Sequence, residues 1–122
     1  MVIKKCNKCG AVVKVLHDCT CEDCGIKCCG EEMKVLTPNS EDASFEKHVP
    51  TYEVDGDIMN ITVNHVMDED HYIEWISIVD GDNEVTFYTK PGDINKVRHL
   101  YIPGAKIYAY CNKHGLWVKE VE

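Results

Sequence analysis

The cysteines of this chain are concentrated at its amino-terminal end. Seven of the eight lie within the first 29 of 122 residues, whereas the aromatic residues all lie at or beyond Phe45. A unit of about 36 residues buries too little apolar surface to fold alone, and such units need a metal or disulfides. We therefore expect a small cysteine-rich domain over 1–36, a polar, turn-rich linker over 37–45, and a second domain over 46–122.

Composition narrows the classes of protein that this chain can belong to. The hydrophobic content of 44% excludes a disordered chain. The formal net charge of -8 argues against a protein that binds nucleic-acid phosphates. No run of about 18 apolar residues is present to span a membrane, and Met1 to Cys6 lacks the apolar region of a signal peptide. We expect a cytoplasmic protein, in which clustered cysteines are more often metal ligands or redox groups than disulfides.

The second domain has the sequence pattern of short antiparallel strands. Met59, Ile61 and Val63 alternate with polar residues, which is the period of two that a strand requires. The turn at 80–83 joins predicted strands over 71–79 and 84–89 into a hairpin. Further predicted strands cover 97–102, 106–111 and 116–121, and a turn of helix is indicated near 41–47. About seven strands at this spacing predict an all-β chain with an antiparallel sandwich.

The amino-terminal cysteines have the spacing of metal ligands. Cys6 and Cys9 form a knuckle with two intervening residues and a following glycine. Two pairs can complete a four-sulfur site. Adjacent Cys28 and Cys29 are one pair, and Cys21 with Cys24, which repeats the first knuckle and would make the commoner zinc-ribbon motif, is the other. Either choice leaves Cys19 over, and four thiolates suit zinc and iron equally. A disulfide framework is the alternative explanation.

A second set of possible ligands lies at loops and strand ends of the second domain: His48, His65, His71, Cys111 and His114. Taken alone, each has a structural explanation, since His65 and Cys111 are in phase with core residues. An antiparallel turn would bring His65 and His71 together, and Cys111 with His114 has a recognised ligand spacing. Five ligands suit a square pyramid with one open position, which is an iron-like geometry. His17 and His99 are not accompanied by any pattern that indicates a metal site, and we interpret them as surface or structural residues.

Several motifs together resemble the desulfoferrodoxins, the two-iron form of superoxide reductase. These motifs are Cys6-x-x-Cys9 with Cys28-Cys29-Gly30, Glu46-Lys47-His48-Val49-Pro50, His65 to His71 followed by Ile73-Glu74-Trp75, Lys90-Pro91-Gly92-Asp93, and Tyr110-Cys111-Asn-x-His114-Gly115 with Trp117. The resemblance covers nearly the whole chain. It implies a desulforedoxin-like domain followed by an immunoglobulin-like sandwich.

The resemblance also implies a ligand set and an activity. A rubredoxin-type iron would be held by Cys6, Cys9, Cys28 and Cys29, where zinc can substitute. An active iron would be held by His48, His65, His71 and His114 in a plane, with Cys111 on the axis. Glu46 would occupy the open position and Lys47 would lie beside it. The activity would be one-electron reduction of superoxide to hydrogen peroxide, with electrons from rubredoxin or a similar donor, in a homodimer.

The chain departs from the family pattern in the loop between its two cysteine pairs. This loop is longer than expected and adds Cys19, Cys21 and Cys24, which makes an alternative ligand set or an extra redox function possible. Two other functions compete with the reductase. An electron carrier would have a closed second site that binds no anion, and a zinc-ribbon interaction protein would be colourless.

Overall fold

The computed structural model describes residues 1–22 and 24–122, which divide into two compact units, Met1–Thr37 and Pro38–Glu122. The division falls one residue beyond the predicted end of the first domain. Most of the predicted linker over 37–45 therefore lies within the second unit. None of the helices in the described part of the chain is long and apolar enough to cross a membrane.

The first unit is built from short antiparallel strands between cysteine turns. Its strands are β1 (Val2–Lys5), β2 (Val12–Val15), β3 (Lys27–Cys28), β4 (Glu31–Glu32) and β5 (Lys34–Val35). They form one sheet of order β2-β1-β5 and a separate β3-β4 hairpin. Ile3, Cys6 and Met33 are buried, which is a small apolar core for a folded unit. Lys4 is also buried, and its Nζ forms an ion pair with Asp18 Oδ1 at 3.0 Å.

The second unit is a sandwich of two antiparallel sheets. Its elements are α1 (Phe45–His48), β6 (Thr51–Asp55), β7 (Ile58–Thr62), β8 (Ile73–Asp80), β9 (Asn83–Tyr88), β10 (Lys96–Leu100), β11 (Lys106–Cys111) and β12 (Gly115–Glu120). The structure describes every residue of 38–122, and these seven strands form sheets of order β10-β7-β6 and β12-β11-β8-β9. The prediction of an all-β chain with a sandwich is confirmed.

Alternate residues of the central strands form the core between the two sheets. Met59 and Ile61 come from β7, Ile76 and Ile78 from β8, and all four are buried. Ile107, Ala109 and Cys111 of β11 continue the same core, so the strand that carries a predicted ligand is also a central strand. The site at its end is therefore anchored on one of the most rigid elements of the fold.

Asn39 explains why the segment before α1 belongs to the second unit. Its backbone N–H donates to Leu116 O at 2.9 Å, and its side chain exchanges hydrogen bonds with the backbone of Val118 at 3.2 and 2.9 Å. Asn39 adopts φ 59, a left-handed conformation that asparagine tolerates better than most residues. The segment thus adds backbone and side-chain partners to the outer edge of β12, instead of crossing solvent as a linker.

Candidate metal centres

The five predicted ligands of the second unit come from four separate segments of the chain. His48 is the last residue of α1, and His65 and His71 lie in the connection between β7 and β8. Cys111 ends β11, and His114 lies in the turn that leads into β12. One ligand atom from each residue lies within 4.8 Å of all the others. The sandwich therefore brings together at one end a group that is dispersed over 67 positions of sequence.

The four imidazole rings form a closed square. Ring centroids are 4.7 Å apart for His48 and His65, and 4.6 Å for His65 and His71. The square closes through His114, whose centroid lies 5.0 Å from those of His71 and His48. Cys111 Sγ lies 3.4 Å from His65 Nε2 and 3.8 Å from His114 Nδ1. One sulfur therefore backs a ring of four nitrogens.

Hydrogen bonds to the backbone determine which nitrogen of each ring faces the centre. His48 Nδ1 donates to Ser44 O at 2.7 Å, and His65 Nδ1 donates to Val66 O, so both rings present Nε2 inward. His71 Nε2 is buried and has no hydrogen-bond partner among the described residues. Backbone acceptors of this kind hold metal-binding histidines in the required tautomer. An orphaned buried nitrogen indicates that a partner of another kind belongs in the centre.

The site favours uncharged side chains when it holds no cation. Burial lowers the pKa of His48, His65 and His71 below the ordinary value of 6.5, and neighbouring imidazoles lower it further. Burial raises the pKa of Cys111, although the backbone N–H groups of Lys113 and His114 oppose that shift. Neutral imidazoles bind metals with their lone pairs, and a bound cation would favour the thiolate.

The spacing of these atoms fits a transition metal. Metal–nitrogen bonds of about 2.1 Å at right angles would place neighbouring nitrogens roughly 3.0 Å apart. His48 Nε2 and His114 Nδ1 are 3.1 Å apart. Imidazole and thiolate donors suit iron, copper and zinc, but five protein ligands exceed the four that structural zinc prefers.

Two asparagines that the sequence reading did not select hold the ligand segments in place. Asn112 accepts from Tyr72 N–H at its Oδ1 and donates from Nδ2 to Asp70 O, both at 3.0 Å. It therefore ties the Cys111–His114 turn to both neighbours of His71. Asn95 donates from Nδ2 to His65 O at 3.1 Å. Asn112 lies inside the Cys-x-x-His motif, which was a usable signal, whereas no local pattern identifies Asn95.

Aromatic side chains pack against the square on one side. The rings of Trp117 and His48 are stacked, with centroids 4.8 Å apart and an angle of 27° between their planes. Trp117 Nε1 also donates to His114 O at 3.0 Å, so one side chain positions two proposed ligands. Phe45 packs edge-on against Trp117. These contacts restrict the rotation of His48 at the end of a helix of only four residues.

A second group of ligand atoms lies in the first unit. The sulfurs of Cys6, Cys9, Cys28 and Cys29 all lie within 4.8 Å of one another. Cys28 Sγ is 3.6 Å from Cys9 Sγ and 3.8 Å from Cys29 Sγ. A tetrahedral site with metal–sulfur bonds of about 2.3 Å has sulfurs roughly 3.8 Å apart. The four sulfurs thus have the separations of a four-thiolate metal site.

Positive φ angles allow the adjacent cysteines to share one centre. Cys29 has φ 54 and Gly30 has φ 76, and these two residues form the turn between β3 and β4. Two consecutive left-handed residues are typical of the tight hairpin turn of type I′. This turn redirects the chain directly after Cys28, which overcomes the tendency of neighbouring side chains to point apart. Sequence spacing alone gave no sign of it.

The thiols of this group are electrostatically unequal. Backbone N–H groups of Cys9 and Lys8 lower the pKa of Cys6 to about 7. Contacts with the Cys9, Cys6 and Cys29 sulfurs raise the pKa of Cys28 to about 12. Without a cation, the crowded sulfurs retain protons, and a divalent or trivalent metal would compensate their charge when they ionise.

Comparisons with known proteins agree on one family. The family model described as Desulfoferrodoxin matches residues 40–120. A desulfoferrodoxin of Syntrophotalea carbinolica is 39% identical over 122 residues, which cover 97% of this chain and 94% of the relative. The chain belongs to the desulfoferrodoxin family. A superoxide reductase of Pyrococcus abyssi is 32% identical over 70% of this chain and 95% of its own length.

A solved structure shows that the fold is shared as well. The superoxide reductase from Treponema pallidum superposes with a TM-score of 0.69 at 20% identity, covering 97% of this chain and 98% of that one. At this level of identity the likeness supports the fold alone.

Glu46 and Lys47, the other predicted site residues of this desulfoferrodoxin-family chain, are exposed. The positive charge of Lys47 contributes to the lowered pKa of His48, which places it within electrostatic range of the square. Glu46 lies outside the group of ligand atoms and lines a surface groove with Phe45, Val49, Pro50, Thr51, Tyr52 and Lys119. The roles assigned to Glu46 and Lys47 remain predictions.

The extra cysteines of this desulfoferrodoxin-family chain do not join either ligand group. Cys21 and Cys24 form a disulfide with a Cα–Cα distance of 5.5 Å, and Cys19 is a free, exposed thiol. The pair Cys21 and Cys24 was the alternative to Cys28 and Cys29 as ligands. The structure instead groups Cys28 and Cys29 with Cys6 and Cys9.

Proposed function

We propose that this chain is a superoxide reductase, whose second unit reduces superoxide by one electron to hydrogen peroxide. The observation that carries the proposal is the square of four imidazoles backed by the buried Cys111. The ligands proposed for an active iron are His48, His65, His71, His114 and Cys111. When bound there, iron supplies the electron that superoxide accepts. Family membership and the superoxide reductases among the relatives support the assignment.

Cys111 closes one face of the site and leaves the other to the substrate. The Cys111 side chain is fully buried at the end of a central strand, whereas three of the four imidazoles are partly exposed. We therefore assign the approach of an anion to the face opposite the sulfur. The backbone nitrogen of His114 lies 3.4 Å from Cys111 Sγ, and its N–H opposes the rise in the pKa of this thiol that burial causes. A cation bound in the square would complete the shift to the thiolate, which is the electron-rich donor.

Local charge at the open face must overcome the charge of the whole protein. The net charge of -8 repels superoxide at long range. Lys47 is adjacent in sequence to His48 and exposed, so at a separation of about 4 Å its ammonium would attract the anion by about 1 kcal/mol. Lys47 therefore recruits the substrate and orders a water that delivers a proton. Glu46 is the nearby carboxylate that can cover the open face after the product leaves.

The overall reaction balances with an external donor. One superoxide, one electron and two protons give one hydrogen peroxide, with no dioxygen formed. The proposal includes a small donor of the rubredoxin type, a cytoplasmic location and a homodimer, which rest on the resemblance to the family. The first unit would hold a rubredoxin-type iron through Cys6, Cys9, Cys28 and Cys29, where zinc can replace it without changing the thiolate geometry.

Stoichiometry separates this proposal from its alternatives. Iron-loaded, pre-reduced protein is exposed to superoxide generated by pulse radiolysis, and hydrogen peroxide and dioxygen are both measured. A reductase gives one peroxide for each superoxide and no dioxygen, whereas dismutation gives one peroxide for two superoxides. An electron carrier with a closed second site would not respond to superoxide, and azide would leave its spectrum unchanged. The proposed function would be refuted by one peroxide for two superoxides, by no response to superoxide, or by a spectrum that azide leaves unchanged.

A further inference from the structure

Three cysteines have no part in either ligand group. Cys19, Cys21 and Cys24 follow one another closely in the loop between β2 and β3, and all three are exposed. The four-sulfur group of Cys6, Cys9, Cys28 and Cys29 already supplies the four donors of a tetrahedral site. The three extra cysteines therefore need a separate explanation.

The disulfide between Cys21 and Cys24 joins residues whose Cα atoms are 5.5 Å apart, an ordinary separation for a disulfide. It closes a loop with only two intervening residues. The stabilisation that a cross-link provides grows with the length of the loop it closes, so this bond contributes little to folding. Exposed disulfides are also the ones that reductants reach. These properties suit a redox-active bond better than a structural one.

The loop is held at both ends without that bond. At its start, Asp18 Oδ1 pairs with Lys4 Nζ at 3.0 Å and accepts from Cys19 N–H at 2.8 Å. At its end, Ile26 O accepts a hydrogen bond from the backbone N–H of Met33 at 2.8 Å. Opening the disulfide would therefore leave the rest of the unit in place.

Cys19 differs from its two neighbours in a way that provides a control. Its thiol donates a hydrogen bond to Asp18 Oδ1 at 3.4 Å, so it already has a partner within its own turn. It is free, whereas Cys21 and Cys24 are paired. Cys19 thus has the same side chain and similar exposure but lies outside the pair.

We propose that Cys21 and Cys24 form a dithiol–disulfide site that reduces hydrogen peroxide. One thiolate attacks a peroxide oxygen, which gives a sulfenic acid and, after protonation of the leaving hydroxide, one water. The second thiol attacks that sulfur, which forms the disulfide and releases a second water. Two thiols and one peroxide thus give one disulfide and two waters, and two electrons pass from sulfur to oxygen. A separate dithiol reductant restores the pair by exchange and becomes a disulfide itself.

This site would remove the product that the second unit is proposed to make, and that connection alone rests on the proposed function. The peroxide chemistry does not, because peroxide can be added directly. A failure of the dithiol site and a failure of superoxide reduction are therefore separate results.

The experiment uses the full chain with both metal sites loaded. The protein is reduced with dithiothreitol, freed of reductant without oxygen, titrated with hydrogen peroxide, and quenched with N-ethylmaleimide for peptide mapping by mass spectrometry. Cys21 and Cys24 should lose their label together, in a disulfide-linked peptide, at about one peroxide per chain, while Cys19 remains labelled. The difference between the parent and Cys21→Ser corrects for peroxide that iron consumes.

Variants make the outcome decisive. Cys21→Ser and Cys24→Ser should each abolish the linked peptide, and Cys19→Ser should leave it unchanged. The proposal is overturned if the pair resists dithiothreitol in the folded protein, because the bond is then structural. It is also overturned if the reduced pair is labelled only after a chelator is added, because it is then a metal site, or if the four-sulfur cysteines oxidise before the pair.

Discussion

Replacing Asn112 by alanine should loosen the proposed iron site without removing any ligand. The Asn112 side chain makes two hydrogen bonds, to Tyr72 N–H and Asp70 O, which join the Cys111–His114 turn to the segment that carries His71. Each neutral hydrogen bond contributes about 0.5–1.5 kcal/mol. The substitution should therefore cost about 2 kcal/mol of unfolding free energy. For a unit the size of Pro38–Glu122, that lowers Tm by roughly 8–16 °C.

The effect on metal retention distinguishes a positioning role from a purely structural one. Loss of a residue that orients ligands typically lowers metal affinity by about 10–100-fold. Chelator competition under anaerobic conditions measures that affinity, and calorimetry of the metal-free protein measures stability separately. Asn64→Ala is the matched control, because exposed Asn64 also neighbours a proposed ligand, His65. If Asn112→Ala retained both the Tm and the metal affinity of the parent, the role given to these hydrogen bonds would be refuted.

The remaining predictions concern charge, sulfur and protons. Lys47→Ala should slow superoxide reduction about tenfold or more in pulse radiolysis while Lys47→Arg retains most of the rate, and an unchanged alanine variant would contradict the recruiting role. Cys111→Ser should remove the thiolate-to-iron absorption band of the second site but leave the four-sulfur bands intact, since only that band requires this sulfur. The pKa values of His48, His65 and His71 are lower in the folded chain than the ordinary value of 6.5. As the pH falls through 6.5, the unfolded chain therefore binds more protons than the folded chain does. The metal-free protein should therefore lose stability as the pH falls through 6.5 in thermal melts, and bound metal should move that loss to lower pH.

Sequence reasoning predicted the parts of the fold that depend on local pattern. Met59 and Ile61 signalled a half-buried strand by their alternation, and β11 has the predicted bounds of 106–111. The strand β6 was missed because four of its five residues are exposed at a sheet edge, so no apolar alternation marks it. The segment before α1 was interpreted as a linker because the role of Asn39 depends on a partner strand 79 residues away.

The candidate site, like the fold, has one part that the sequence pattern predicts and another that depends on distant partners. Residue type and spacing were enough to select His48, His65, His71, Cys111 and His114, which the structure brings together. The supporting contacts were not predictable, because Asn95 reaches His65 across 30 residues of sequence and Trp117 meets His48 only after the sandwich has formed. Positive φ at Cys29 is equally invisible in composition, yet it decides how two adjacent cysteines can face one centre.

The two ligand groups differ in the order in which a growing chain could complete them. Cys6 to Cys29 are close in sequence, so a nascent polypeptide can capture a thiophilic ion as soon as this stretch leaves the ribosome. His48 and His114 are 66 residues apart and meet only through long-range strand pairing, which is slow to form. The imidazole square would thus be available only to ions present after folding, so the two groups would acquire their metals at different times and by different criteria.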